Sequence, residues 1–201
     1  MRKYGFVTLV MVVLSVLIYS GHGQVWAKDF QVILVADGAV KAPRVVLKTK
    51  FGEMEIVFFP ELAPKHVESF LRLASEGKYN GTVFHRVIPG FMIQGGDLIS
   101  KDPSKRHRYG TGDAGFTLPA EFSTLSHERG ILSAARQGGN VDSASSQFFI
   151  VVKNSPFLDR DYTIFGEVEK GIEIADKIVG QPRDSNNNPL DRIEMTIEVM
   201  E

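Results

Sequence analysis

The sequence predicts a mainly β fold, a closed antiparallel β-barrel capped by two α-helices. Three observations point there. Short runs rich in β-branched and aromatic residues recur along the chain, separated by clusters of Gly, Asn, Asp and Ser. Only two stretches carry apolar residues at helical spacing, and they lie far apart, near residues 64–77 and 171–180. With 201 residues, 43% of them hydrophobic, the chain can bury a core large enough to need no staple, and it has no Cys to make one.

At the N-terminus, Arg2 and Lys3 precede an apolar run from Phe6 to Tyr19, broken only by Thr8 and Ser15. The run falls short of the roughly 20 residues of a membrane span and has the length of a signal-peptide core. Val25-Trp26-Ala27 predicts cleavage after Ala27 and hence an exported protein; the alternative is an uncleaved anchor, the only route by which this chain would touch a membrane. Removing residues 1–27 takes two cations and no acid, so the net charge moves from −1 to −3. Residues 28–44 read as a linker or edge segment, with one apolar patch at Phe30–Ala36, before a domain spanning 45–201.

The domain opens with two strands, Val45–Thr49 and Met54–Phe59, joined by a turn at Lys50-Phe51-Gly52-Glu53. Pro64 starts a helix whose apolar positions Val67, Phe70, Leu71 and Ala74 share one face, and Gly77 stops it. Asn80-Gly81 turns the chain into a strand at Thr82–Val87, and Pro89-Gly90 turns it again into Phe91–Gln94. Leu98–Gly115 is polar and reads as a long surface loop. Further strands are expected at Ile131–Ala135, Gln147–Val152 and Thr163–Val168, with a loop over 137–146. Gly171–Val179 reads as the second helix, ended by Gly180 and Pro182; a loop at Arg183–Pro189 then leads to a last alternating strand, Ile193–Met200.

Composition excludes several function classes. A net charge of −1 leaves no basic footprint for nucleic acid. Without Cys, thiol catalysis and Cys-ligated zinc are impossible, and no two of His22, His66, His85, His107 and His127 are spaced i, i+4 as in a helical zinc site. No G-x-S-x-G elbow marks a nucleophilic serine. Gly110-Thr111-Gly112-Asp113-Ala114-Gly115 fits G-x-G-x-x-G, but the Pro119 that follows opposes the helix a dinucleotide site needs, so these glycines read as backbone turns. His85 and His127 read as partly buried hydrogen-bonding residues rather than general bases.

One stretch stands out. Phe84–Gly96 sets one Arg and one Gln within a run of large apolar residues, and Arg is seldom buried without a partner. It is either a core strand pair whose charge reaches the edge, or an apolar cleft into which a guanidinium is aimed. This stretch resembles the FHR-x-x-x-x-F-M-x-Q-G-G signature of the cyclophilin family of peptidyl-prolyl cis/trans isomerases. The resemblance continues through Gly130–Ala135, Ser145–Ile150, Phe157–Asp159 and Phe165–Val168, in the family's order, and spans about Val45 to Val199. It implies an eight-stranded barrel, isomerase activity on proline-containing polypeptides, no cofactor, a monomer, and, with the leader, a bacterial-like member of the periplasm.

The resemblance also implies the site. Arg86 and Gln94 take the catalytic positions, with Arg86 donating to the proline nitrogen and Gln94 holding the guanidinium. Phe91, Met92, Phe149 and Leu158 form an apolar seat for the pyrrolidine ring, and Ala135, Arg136, Gln137, Gln147, Phe157 and Tyr162 complete the substrate contacts. Phe157 stands where many eukaryotic members carry Trp, Tyr162 where they carry His, and Arg136-Gln137 where Asn-Ala is common. Alternation turns Phe84, Phe148 and Ile150 away from the cleft. A second reading, a proline-binding chaperone module without catalysis, would use the same cleft.

Overall fold

The computed structural model describes residues 42–200, so the leader and the apolar patch at Phe30–Ala36 lie outside the described residues. Eight strands form one antiparallel sheet: β1 (Arg44–Thr49), β2 (Gly52–Phe58), β3 (Arg86–Ile88), β4 (Met92–Gly95), β5 (Ile131–Ala134), β6 (Phe148–Val151), β7 (Ile164–Lys170) and β8 (Thr196–Val199). Their order is β3-β4-β6-β5-β7-β2-β1-β8. The sheet curls as a half-barrel, and these pairings leave β3 and β8 at its two ends rather than in a continuous closed ladder. Ahead of those strands, Val83 and Glu194 form one isolated antiparallel bridge, flanked by hydrogen bonds from Met195 N to Thr82 O and from Phe84 N to Ile193 O. The strands expected to start at Thr82 and Ile193 are therefore shorter, because their first residues pair only through this bridge.

Helix α1 runs from Pro64 to Ser75, with Pro in its first turn as anticipated. Its buried face is Val67, Phe70, Leu73 and Ala74, while Leu71 is only partly buried. Its capping position, Ala63, offers no side-chain acceptor; Glu121 supplies one from 55 residues away, accepting from Lys65 N and His66 N at 3.1 Å each. Helix α2 (Ile172–Val179) follows Gly171, whose φ of +85° and close approach to the Glu53 carbonyl leave no room for a Cβ.

Strand alternation sorts the apolar residues into two groups. The main core lies between the sheet and the helices and holds Phe84, Phe148 and Ile150, which do turn from the cleft. At its centre Phe70 sits 4.8–5.6 Å, ring to ring, from Tyr79, Phe58, Phe148 and Phe165. A smaller cluster on the opposite face of the strands contains Met92, Phe149, Val151, Leu158 and Ile164. Two 3-10 turns, Leu98–Lys101 and Pro103–Arg108, give order to the stretch read as a surface loop; Asp97 and Asp102 cap them through Ile99 N and Ser104 N. Among the described residues no helix is long and apolar enough to cross a membrane.

Candidate active site

The site begins at the β3–β4 hairpin. Its register places Arg86 directly opposite Gln94, so two side chains eight residues apart project from one face. Arg86 Nη1 donates to Gln94 Oε1 at 3.1 Å, and Gln94 Nε2 donates to Gln147 Oε1 at 3.0 Å. Gln147 Nε2 in turn donates to the carbonyls of Gly112 (2.7 Å) and Gly110 (3.1 Å). Gly110 N donates to the buried Asp97, whose carboxylate lies so close to Gly112 that no Cβ fits there. The glycine run thus serves as backbone turns that anchor the glutamine relay holding the guanidinium.

Arg86 itself is exposed, and no carboxylate among the described residues lies within ion-pair distance of it. The apolar surround is not wrapped around the cation but stands beside it. Met92, Phe149 and Leu158 are buried in the smaller cluster, with Phe91, Ala135 and Tyr162 packed against them. Tyr162 meets Phe149 edge-on at 5.6 Å, and the Arg136 guanidinium lies 4.6 Å above the Tyr162 ring while pairing with Asp161 at 2.7 Å. Phe157 packs on Phe91 at 5.3 Å but is 71% exposed, which makes it rim rather than floor.

These residues share one cleft of about 1100 Å³, which brings together Arg86, Gln94, Phe91, Met92 and Phe149 with Ala135, Arg136, Phe157, Leu158 and Tyr162. Gln137 and Gln147 are not on it. They line an adjoining recess of about 280 Å³ with Gly110–Asp113, Ser143 and Ser145, and Gln94, Gly110, Ala135 and Arg136 border both spaces.

The histidines divide. His127 hydrogen-bonds Asp159 Oδ1 through Nδ1 (2.9 Å) and Ser133 Oγ through Nε2 (3.2 Å), beneath the ring of Phe149. This Ser-His-Asp row has the outline of a nucleophilic triad, but Ser133 is wholly buried and its hydroxyl donates to Thr163 O at 2.8 Å. Burial holds the His127 imidazole below its ordinary pKa despite Asp159. His85 departs from the expectation of a hydrogen-bonded residue: it is 4% exposed and neither ring nitrogen has a partner. Burial pushes its pKa down to about 4 against the pull of Asp97, so the ring is neutral at pH 7.

The opposite wall of the cleft was not foreseen. It consists of Ser104, Arg106 and His107 from the second 3-10 turn, Tyr109 directly after it, and Asp184, Asn186 and Asn188 from the loop before β8. Arg106 joins the two segments, donating to Asp184 Oδ2 (3.2 Å), Pro189 O (2.8 Å) and Asn188 O (3.4 Å). Asp184 also accepts from Asn186 N and Asn188 N, and the Asn187 carbonyl accepts from Val87 N at the outer edge of β3. The D-x-N-x-N spacing of 184–188 was the signal available in the sequence, since Asp at the head of a polar loop accepts from the backbone two residues on. Among the described residues no group of acids and histidines could hold a metal ion.

Comparison with known proteins identifies the family. Residues 44–199 match the family model for "Cyclophilin type peptidyl-prolyl cis-trans isomerase/CLD". A probable peptidyl-prolyl cis-trans isomerase of Brucella abortus (strain 2308) is 42% identical over 173 residues, covering 83% of this chain and 88% of its own. Peptidyl-prolyl cis-trans isomerase A of Dickeya dadantii (strain 3937) is 40% identical over 169 residues, covering 79% and 82%. A cyclophilin-type isomerase of Cryptosporidium parvum, crystallised in the presence of the dipeptide Ala-Pro, superposes with a TM-score of 0.71 at 32% identity, covering 79% of this chain and 99% of that one. The chain belongs to the cyclophilin-type peptidyl-prolyl cis-trans isomerases.

Proposed function

We propose that this isomerase turns Xaa-Pro bonds through Arg86, on proline-containing segments of exported proteins, and that it acts as a monomer. The observation that carries the mechanism is an exposed guanidinium with no carboxylate partner among the described residues, held by Gln94 beside an apolar seat. Isomerisation breaks no covalent bond; it needs only loss of C–N double-bond character, behind a barrier of about 18–20 kcal/mol. Donation from Arg86 to the imide nitrogen localises its lone pair and removes that resonance. Met92, Phe149 and Leu158 receive the pyrrolidine ring.

A turnover near 10³ s⁻¹ corresponds to a barrier of about 13 kcal/mol, so the site removes roughly 5–7. A charged hydrogen bond supplies about 1.5–3 of this. Drying of the amide, whose planar form is the more polar, and tighter binding of the twisted form supply the rest. Because Arg86 is open to water in the free protein, the substrate itself must cover it and complete the dry environment.

Export is supported by the sequence alone, through Arg2, Lys3, the apolar run of residues 6–19 and the cleavage signal ending at Ala27, and the periplasm is the compartment we assign. N-terminal sequencing of secreted protein should begin at Lys28; a mature chain retaining Met1 refutes cleavage. Closure of the barrel is part of the same reading, supported by the Val83–Glu194 bridge.

The deciding experiment is cis/trans exchange in a short Xaa-Pro peptide, measured by NMR with the wild type and Arg86→Ala. Loss of one charged hydrogen bond predicts a fall in kcat/KM of about 10- to 150-fold. An unchanged rate refutes the role of Arg86, and binding without exchange in the wild type would make the cleft a chaperone module.

A further inference from the structure

The apolar seat occupies only part of the cleft. The pairing order across the sheet runs from the 184–188 loop, bonded to the outer edge of β3, through Arg86 on β3 and Gln94 on β4 to Phe149 on β6. With strands about 4.8 Å apart, the loop stands beyond Arg86 on the side away from the seat. A peptide with its proline on the seat and its imide bond against Arg86 continues past this loop in one chain direction.

Two independent features of that wall call for a ligand. Asn188 is 8% exposed, and its backbone N–H and C=O are both engaged, by Asp184 and Arg106, yet its carboxamide has no hydrogen-bond partner among the described residues and lines the cleft. Its polar atoms still reach solvent, so water serves them in the free protein and a ligand group entering the cleft can take the place of that water. The second feature is charge. Each carboxylate lining the cleft has its own arginine, Asp161 with Arg136 and Asp184 with Arg106. Among the described residues Arg86 is met only by the neutral Gln94, so the cleft carries uncompensated positive charge.

We infer that the polar wall at Asn188, together with Arg86 on the neighbouring strand, forms a subsite for an acidic side chain on a residue flanking the Xaa-Pro pair. Asn188 Nδ2 donates to the carboxylate and Arg86 supplies the attracting charge. The subsite rests on the isomerase reading, since it takes the register of the peptide from a proline on the seat.

The test uses Xaa-Pro peptides carrying Glu, Gln or Lys in one series after the proline and in another before the Xaa-Pro pair, with exchange rates measured by NMR and binding by calorimetry. In one series the wild type should prefer Glu over Lys by about 3- to 10-fold at low salt, with Gln between, and the preference should shrink in 0.5 M NaCl. Asn188→Ala should reduce the Glu/Gln ratio, and Asn188→Asp should shift the order toward Lys. Equal kcat/KM for Glu and Lys in both series, with the peptides still exchanging, overturns the subsite and leaves the isomerase reading intact. If no peptide exchanges, the isomerase reading fails, and the calorimetric Glu/Lys ratio still decides the subsite. An order that Asn188→Asp leaves unchanged also overturns it.

Discussion

The two walls of the cleft are built by opposite means. One is a patch of packed side chains, Met92 and Phe149 from strands, Leu158 from the 3-10 turn Pro156–Leu158 and Tyr162 from the segment after it, gathered on a small apolar cluster of their own. The other is two polar stretches, 104–109 and 184–188, whose position depends on one guanidinium and a few backbone hydrogen bonds. The apolar wall is fixed by burial, which is non-directional and cumulative; the polar wall is fixed by a few directional contacts, each individually weak in water. The first should therefore fail through stability and the second through local order.

The largest expected effect is on the apolar side. Phe149→Ala removes a ring that is buried against His127 and Tyr162, and should cost about 3–5 kcal/mol in denaturant unfolding as well as weakening proline-peptide binding. A loss under 1 kcal/mol would mean that the seat is not packed as described.

Next comes His85, the buried residue that precedes Arg86 in the chain and lines the cleft. Its folded-state pKa of about 4 lies below its unfolded value near 6.5, so the unfolded chain binds the proton first. Stability should be unaffected above about pH 7 and fall as pH drops from about 6.5 to 4, by at most about 3 kcal/mol from this residue. His85→Gln should flatten that decline in urea unfolding followed across the pH range. An equally steep curve in the variant would place the titration elsewhere, at His66 or His127, which burial lowers in the same direction.

The smallest global effect is expected on the polar side. The Arg106 side chain is partly exposed, but Asn188 and Pro189, whose carbonyls it serves, are buried, so Arg106→Ala should cost about 1–2 kcal/mol. Its signature is local: the Val87 amide, bonded to Asn187 O, should exchange hydrogen faster while amides of β2 and β7 do not change. Equal acceleration throughout the sheet would show the polar wall to be part of the global folding unit.

Much of the apolar wall was legible in the sequence. Alternation along Phe148-Phe149-Ile150 assigns the outer two to the core and the middle one to the cleft, and Pro89-Gly90 sets a hairpin whose register pairs Arg86 with Gln94. The site residues themselves came from resemblance to a family, and the structure assigned Gln137 and Gln147 to the smaller recess. The two 3-10 turns within Leu98–Gly115 are not legible in the sequence, because turns held by side-chain caps carry no period.

The sequence by itself determined the order of strands and helices along the chain, the breaks between them, and which face of each strand is apolar. These follow from backbone sterics and side-chain alternation, which act over a few residues. Only the tertiary structure decided that Glu121 would cap a helix 55 residues before it, that Arg106 would hold a loop about 80 residues on, and that Arg86 would stand open to water beside its apolar seat rather than within it. Such contacts join distant polar groups through geometry that exists only after the sheet has curled, so no local pattern announces them.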